Sequence, residues 1–270
     1  MALAAQDLAF TGSVAGLYER LLVPLIFQFY ADNVADGVAA LSPARILETA
    51  AGTGVVTRAM AKRLPRAEIT ATDLNPAMLD QAKLRLGDSK NVKWAQADAL
   101  KLPYENGQYD VAVCQFGAMF FPDRTAGYKE ARRVLKPNGT FFFSVWDRIE
   151  DNEFADVVTR EMGKLFPADP PVFLARTPHG YHDLARIRAD VAAAGFGDIQ
   201  LEPLAAVSRA KSARDVAVAY CEGTPLRGEI EARDKSALGR ATELATAALE
   251  KRYGSGPVEA RMKAIVVTAR

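Results

Sequence analysis

Residues 45–54, Arg45-Ile46-Leu47-Glu48-Thr49-Ala50-Ala51-Gly52-Thr53-Gly54, constrain the fold more than any other stretch. An apolar run ends in an acid, passes through small residues and closes on Gly-Thr-Gly before a helical pattern begins. A strand followed by a small-residue turn lets a ligand lie against the backbone, because no side chains fill that space. The acid matters as much as the glycines. It repels a pyrophosphate at that point and suits a cationic or hydroxyl-rich ligand instead.

The pattern repeats. Glu68-Ile69-Thr70-Ala71-Thr72-Asp73 is rich in β-branched residues and again ends in an acid, 25 residues after Glu48. Asn75-Pro76 then opens a helix, with proline where its missing N–H costs nothing. An acid about 20 residues beyond a glycine turn is the usual partner of ribose hydroxyls, since a carboxylate accepts both hydrogen bonds of a vicinal diol. Val92–Asp98 is a third apolar run, ending in an acid 25 residues after Asp73. In an open parallel sheet the carboxyl ends of neighbouring strands meet at one edge, so Glu48, Asp73 and Asp98 are expected to line one crevice. Tyr109–Cys114 reads as a fourth strand. A helix follows across Thr125–Leu135, then a turn at Lys136-Pro137-Asn138-Gly139 and a fifth strand, Phe141–Trp146.

Four segments carry a family resemblance: Glu48…Gly52-Thr53-Gly54; Thr72-Asp73-Leu74-Asn75-Pro76-Ala77-Met78-Leu79; Gln96-Ala97-Asp98-Ala99; and Arg133-Val134-Leu135-Lys136-Pro137-Asn138-Gly139. In this order and spacing, Arg45–Trp146 resembles the class I S-adenosylmethionine-dependent methyltransferases, and most of all their ubiquinone/menaquinone-biosynthesis C-methyltransferase-like branch. The resemblance covers about 100 of the 270 residues. It implies an α/β, Rossmann-like sheet of seven mostly parallel strands, the seventh antiparallel between the fifth and sixth, with helices on both faces and a helical lid. It also implies S-adenosylmethionine as methyl donor, leaving as S-adenosylhomocysteine. Position by position, Glu48 matches the acid near the methionine amino group, and Gly52, Thr53 and Gly54 the turn beneath the nucleoside. Asp73 matches the ribose acceptor, with Leu74 and Met78 against adenine. Asp98 and Ala99 match the adenine-amine contacts, and Gln115 the end of the fourth strand that meets the methionine portion. Tyr18 resembles an amino-terminal tyrosine that closes over the cofactor. Ala50 departs from the pattern, since the family usually has glycine there. A methyl group at Ala50 is tolerable if its φ stays negative, and a degenerate, non-binding site is the alternative.

The chain balances 34 Lys+Arg against 33 Asp+Glu and shows no concentrated basic run, which argues against a nucleic-acid partner. The resemblance adds that the amino-methyltransferases of DNA place Asn/Asp-Pro-Pro-aromatic after the fourth strand, where this chain has Gln115-Phe116-Gly117. Two distant cysteines, Cys114 and Cys221, make no disulfide framework or zinc pattern and fit a reducing compartment. No basic region followed by a long apolar run marks the amino terminus, and Leu21–Phe27 is too short to span a bilayer. The expected setting is cytoplasmic, without integral membrane association. Leu21–Phe27 can pack on the core, cover the active site as a lid, or make a dimer or membrane-surface contact.

Three regions follow from these signals: a helical lid over 1–40, a cofactor-binding core over 41–150, and the remaining sheet with a helical substrate cover over 151–270. The cover's insertion is placed at about 211–255. Methyl transfer from a sulfonium is an in-line displacement that needs alignment rather than a metal. With two histidines and no carboxylate/His cluster, no metal site is expected. His179, in Pro178-His179-Gly180-Tyr181-His182-Asp183, is the candidate base, the alternative being a helix entry with surface histidines. Phe116, Met119 and Tyr181 are the candidate substrate pocket, and Phe120 and Phe121 either join that pocket or pack beneath the following helix. The function expected is C- or O-methylation of a small-molecule acceptor. Two other readings stay open: a methyltransferase-like cofactor-binding protein without catalysis, and a nicotinamide-dependent oxidoreductase.

Overall fold

The computed structural model describes residues 13–270; Phe10-Thr11-Gly12, which precede Tyr18, and the rest of 1–12 lie outside them. Among the described residues, β1 (Arg45–Glu48), β2 (Glu68–Asp73), β3 (Val92–Gln96), β4 (Tyr109–Gln115), β5 (Leu135–Trp146), β6 (Ile199–Ala210) and β7 (Val258–Ala269) form one sheet. Its order is β3-β2-β1-β4-β5-β7-β6. β7 runs antiparallel to both neighbours, as the resemblance implies. The chain turns one way from β1 through β2 to β3 and the other way through β4 to β5. The carboxyl ends of β1 and β4 therefore flank the switch point where α/β sheets bind ligands.

Apolar runs bury the middle of the sheet. β1 and β4 are covered on both faces, which explains why they read as continuous apolar segments rather than alternating ones. Local chemistry sets the helix starts. Asn75 caps α4 (Pro76–Leu86) by accepting from the Ala77 N–H at 2.9 Å, and Asp123 caps α5 (Arg124–Val134) from the Ala126 N–H at 2.9 Å. β5 begins earlier than its sequence suggests. Tyr109 faces Leu135 and Val111 faces Thr140, so Lys136–Gly139 bulge out opposite Asp110, with Asn138 in the left-handed region at φ 64°.

The amino-terminal segment runs from Ser13–Leu17 into a π-helical stretch, Tyr18–Phe27, and then into Gln28–Ala40. Pro24 sits inside it, and the wider i→i+5 winding accommodates a residue with no N–H and a ring that crowds the preceding turn. Leu22, Ile26 and Phe27 are buried. Of the uses open to this apolar run, the structure displays packing on the core and roofing of a cavity. Farther on, α9 (Ala213–Glu222), α10 (Leu226–Arg233) and α11 (Ala237–Tyr253) lie between β6 and β7.

Candidate functional site

At the end of β1 the backbone turns through three left-handed residues, Ala50 (φ 53°), Gly52 (φ 55°) and Gly54 (φ 78°). A side chain on Gly54 would also meet the Trp94 ring at 2.8 Å. The condition placed on Ala50 fails: its φ is positive. Alanine occupies the left-handed conformation at a cost of about 1–2 kcal/mol, and its methyl faces the bare backbone of Gly117. Phe116, at the end of β4, is left-handed too (φ 53°). Two strained non-glycine residues thus sit at the two strand ends that flank the switch point, a placement typical of ligand sites.

The acids divide in role. Glu48 is 1% exposed and accepts a hydrogen bond from Thr57 Oγ1 at 2.6 Å. Burial pushes its carboxyl up to about 8, only partly offset by the Thr57 bond, so it is largely protonated at neutral pH. Asp73 accepts from the Gly52 N–H (Oδ2, 2.8 Å) and the Asn75 N–H (Oδ1, 2.8 Å). Each oxygen keeps a further lone pair for a hydroxyl donor. Leu74 beside it is 52% exposed, whereas Met78 is buried with its methyl beneath Gly52. Asp98 lies two residues beyond the end of β3, is exposed, and accepts from the Leu100 N–H at 2.9 Å; Ala99 is half-buried beside it. Gln115 is buried and donates from Nε2 to the Phe27 carbonyl at 3.4 Å, while its Oε1 and the Thr53 hydroxyl are buried without a hydrogen-bond partner. An orphan hydroxyl in the glycine turn and an orphan acceptor at the end of β4 suit a ligand with N–H or O–H donors.

Next to this turn, a cavity of about 70 Å³ opens beneath the π-helical stretch. Phe116, Met119 and His179 line it, as do Phe120, Trp146, Phe173 and Tyr220. Phe116 stacks on Trp146 at 3.9 Å. Of the two readings open for Phe120 and Phe121, Phe120 lines the cavity and Phe121 packs against α5, at Gly127. One assignment changes. Tyr181 is buried but is not part of the lining: its hydroxyl donates to Asp190 at 2.9 Å and its ring lies under the Arg124 guanidinium. His179 is no surface histidine. Its Nδ1 is 2.8 Å from the Asp147 carbonyl, which can only accept, so Nδ1 carries the proton and Nε2 keeps its lone pair. Burial lowers its pKa to about 4. After this loop α8 (Leu184–Ala193) begins where Asp183 caps it through the Arg186 N–H.

Tyr18 joins the two halves. It lines the cavity and stacks on Phe27, and burial together with the nearby Asp73 carboxylate raises its pKa. Its neighbour Glu19 is buried against Arg58 Nη2 at 2.8 Å, and Arg58 Nη1 donates to the Thr53 carbonyl at 2.6 Å. Sequence reading missed this latch, as it missed Thr57, Trp146 and Tyr220. Thr57 follows the turn at a helix position that could have suggested it; nothing local marks the others. No group of three or more His, Cys, Asp or Glu that could hold a metal occurs among the described residues, and no helix among them is long and apolar enough to cross a membrane.

A family model described as a methyltransferase domain matches residues 46–139. Demethylmenaquinone methyltransferase of Deinococcus radiodurans is 40% identical over 99 residues, 36% of this chain and 41% of that protein. Malonyl-(acyl-carrier protein) O-methyltransferase of Geobacter sulfurreducens is 30% identical over 187 residues, 69% of this chain and 66% of that protein. The chain thus spans less than two thirds of these relatives' own lengths. Phosphoethanolamine N-methyltransferase 2 of Haemonchus contortus, solved with phosphomonomethylethanolamine and S-adenosylhomocysteine, superposes with a TM-score of 0.60 at 15% identity. That alignment covers 99% of this chain and 60% of the other and concerns the fold.

Proposed function

We propose that this chain, which belongs to the class I S-adenosylmethionine-dependent methyltransferases, moves a methyl group from S-adenosylmethionine to a small apolar acceptor. One observation carries the reading: Gln115 and Phe116 are consecutive at the switch-point end of β4, yet the first presents a buried orphan acceptor and the second lines the apolar cavity. Donor and acceptor sites of a transferase must meet at such a junction.

The residues fit the donor. Asp73, fixed by two backbone N–H groups, is placed to accept from ribose hydroxyls, with the exposed Leu74 available to an adenine face. Gln115 Oε1 suits the methionine ammonium. Glu48, buried and bonded to Thr57, also braces the turn on which the donor would lie. When bound, S-adenosylmethionine supplies an electrophilic methyl on a sulfonium, open to in-line displacement. The chain's part is to align the acceptor and keep water out: aromatic rings wall the cavity, and Tyr18 spans from that wall toward Asp73. Cys114 and Cys221, both buried and unbridged, agree with a reducing cytoplasmic setting.

Calorimetric titration with S-adenosylmethionine and S-adenosylhomocysteine tests the proposal. Micromolar binding of both is expected, weakened at least about 10-fold in Asp73→Ala, which loses two charge-assisted bonds to the ligand. Absence of binding to a folded protein would refute it.

A further inference from the structure

The acceptor cavity carries a sharper statement than "apolar". None of its lining residues is an Asp, Glu, Lys or Arg. Its polar side chains are then accounted for one at a time. Asn152 is spent: Nδ2 donates to the carbonyls of Asp147, Arg148 and Lys263, and Oδ1 accepts from the Lys263 N–H. Thr224 is spent as well, donating to the Tyr220 carbonyl at 2.6 Å and accepting from the Leu226 N–H at 3.2 Å. Tyr18 lies near the Asp73 carboxylate. The Trp146 indole N–H, which makes no hydrogen bond, and two further atoms are left. His179 uses Nδ1 on Asp147 and has no hydrogen bond at Nε2; Tyr220 makes none through its hydroxyl. Both residues are 6% exposed and both line the cavity.

Resting on the methyltransferase reading, we infer that the pocket selects an uncharged, ring-shaped acceptor bearing a hydroxyl, held between His179 Nε2 as acceptor and Tyr220 as donor. The chemistry of the two groups fits this pairing. The buried imidazole stays neutral above about pH 5, with its pKa lowered to about 4, and accepts from a neutral O–H without forming an ion pair. That same low basicity makes His179 a positioning residue rather than a proton-removing base. Burial raises the Tyr220 phenol above its ordinary value and keeps it a donor. A carboxylate or phosphate entering here would meet no cation, and the cost of desolvating it would go unrecovered. The volume limits size: about 70 Å³ is half of a void of about 150 Å³ that takes up benzene, so the enclosed part of the acceptor is no larger than a single ring. Tyr220 comes from α9, in the helical insertion, so specificity resides there and not in the turn that holds the methyl donor.

The test uses three probes of nearly equal shape: 4-methylphenol, 1,4-dimethylbenzene and 4-methylbenzoate. Their binding to protein saturated with S-adenosylhomocysteine, and to protein without it, is followed by ligand-observed NMR. The phenol should bind roughly 5- to 10-fold tighter than the hydrocarbon, and the benzoate at least about 100-fold weaker than the phenol. Tyr220→Phe and His179→Phe should each erase the phenol's advantage while leaving 1,4-dimethylbenzene within about 2-fold of its original affinity. Equal binding of phenol and hydrocarbon, preference for the benzoate, or equal loss of both neutral probes in Tyr220→Phe would overturn the inference. If S-adenosylhomocysteine fails to bind, the donor reading falls, while the probe ranking without it still decides the pocket's selectivity.

Discussion

The contact between Ala50 and Gly117 offers the sharpest quantitative check. Gly117 follows β4 with φ −99°, a conformation any residue adopts, so a substitution there is opposed by packing alone. A methyl at Gly117 would lie 2.4 Å from Ala50 Cβ and 2.9 Å from Cys114 Sγ. Carbon atoms rest at about 3.5–4.0 Å, so the first contact is short by more than about 1 Å. Neither neighbour can rotate away, because one is a methyl fixed to the backbone and the other is fully buried. Gly117→Ala should therefore cost about 2–3 kcal/mol, near the upper end for overpacking. Ala50→Gly relieves left-handed strain of about 1 kcal/mol but frees the unfolded chain by a similar amount, for a net change within about 0.5 kcal/mol. Combining them removes the worse clash and leaves the one with Cys114, for a total near 1 kcal/mol. The coupling is then about 1–2 kcal/mol, measurable by urea denaturation of the four proteins. S-adenosylhomocysteine titration should follow suit, with affinity lost at least about 10-fold in Gly117→Ala and recovered to within about 3-fold in the double variant. Additivity within about 0.5 kcal/mol would refute the reasoning and mean that the two turns do not share this space.

Two further outcomes concern the braces around the turn. Glu48 has a folded pKa of about 8, above its unfolded value, so its contribution is fully present below about pH 4.5 and is lost as pH rises through 8. Wild-type stability should fall by a few kcal/mol over that window and Glu48→Gln should flatten the slope; parallel pH profiles in urea melts would contradict this. Glu19→Gln removes the carboxylate between Arg58 and the lid, with an expected loss of about 1–3 kcal/mol and several-fold weaker S-adenosylhomocysteine binding. Unchanged binding would show that the Arg58 bond to the Thr53 carbonyl does not depend on Glu19.

The donor side was legible because it is built from local rules. A β-branched run ending in an acid, a glycine turn and Asn75-Pro76 each dictate backbone conformation within a few residues, and Asp73 meets Gly52 and Asn75 as that spacing implies. What misled was also local. Residue type gives the size of Ala50 but not the sign of its φ, which the bare backbone of Gly117 makes possible. Tyr181 looked like a pocket residue by its company in a histidine loop. Its orientation is decided by Asp190 and Arg124, partners the loop's own sequence does not reveal.

The rest of the acceptor side was illegible for a physical reason. Beyond Tyr18 and the expected Phe116 and Met119, its walls are side chains from Phe27, Trp146, Phe173 and Tyr220, and each of these four reads in its own segment as one more apolar position. Whether such a residue fills a core or faces a void depends on the spacing of the elements it joins, a tertiary quantity with no local signature. Tyr220 illustrates it: α9 buries Val216, Ala217 and Ala219 as any amphipathic helix does, and only contact with the π-helical stretch leaves the Tyr220 hydroxyl at the cavity wall. A turn recognises its ligand through backbone geometry and leaves neighbouring side chains freer to vary. A pocket of packed rings changes its ligand with a single side chain. The match to the methyltransferase family model ends at residue 139, before Trp146, Phe173, His179 and Tyr220, so what distinguishes this chain's acceptor must be sought in those later residues.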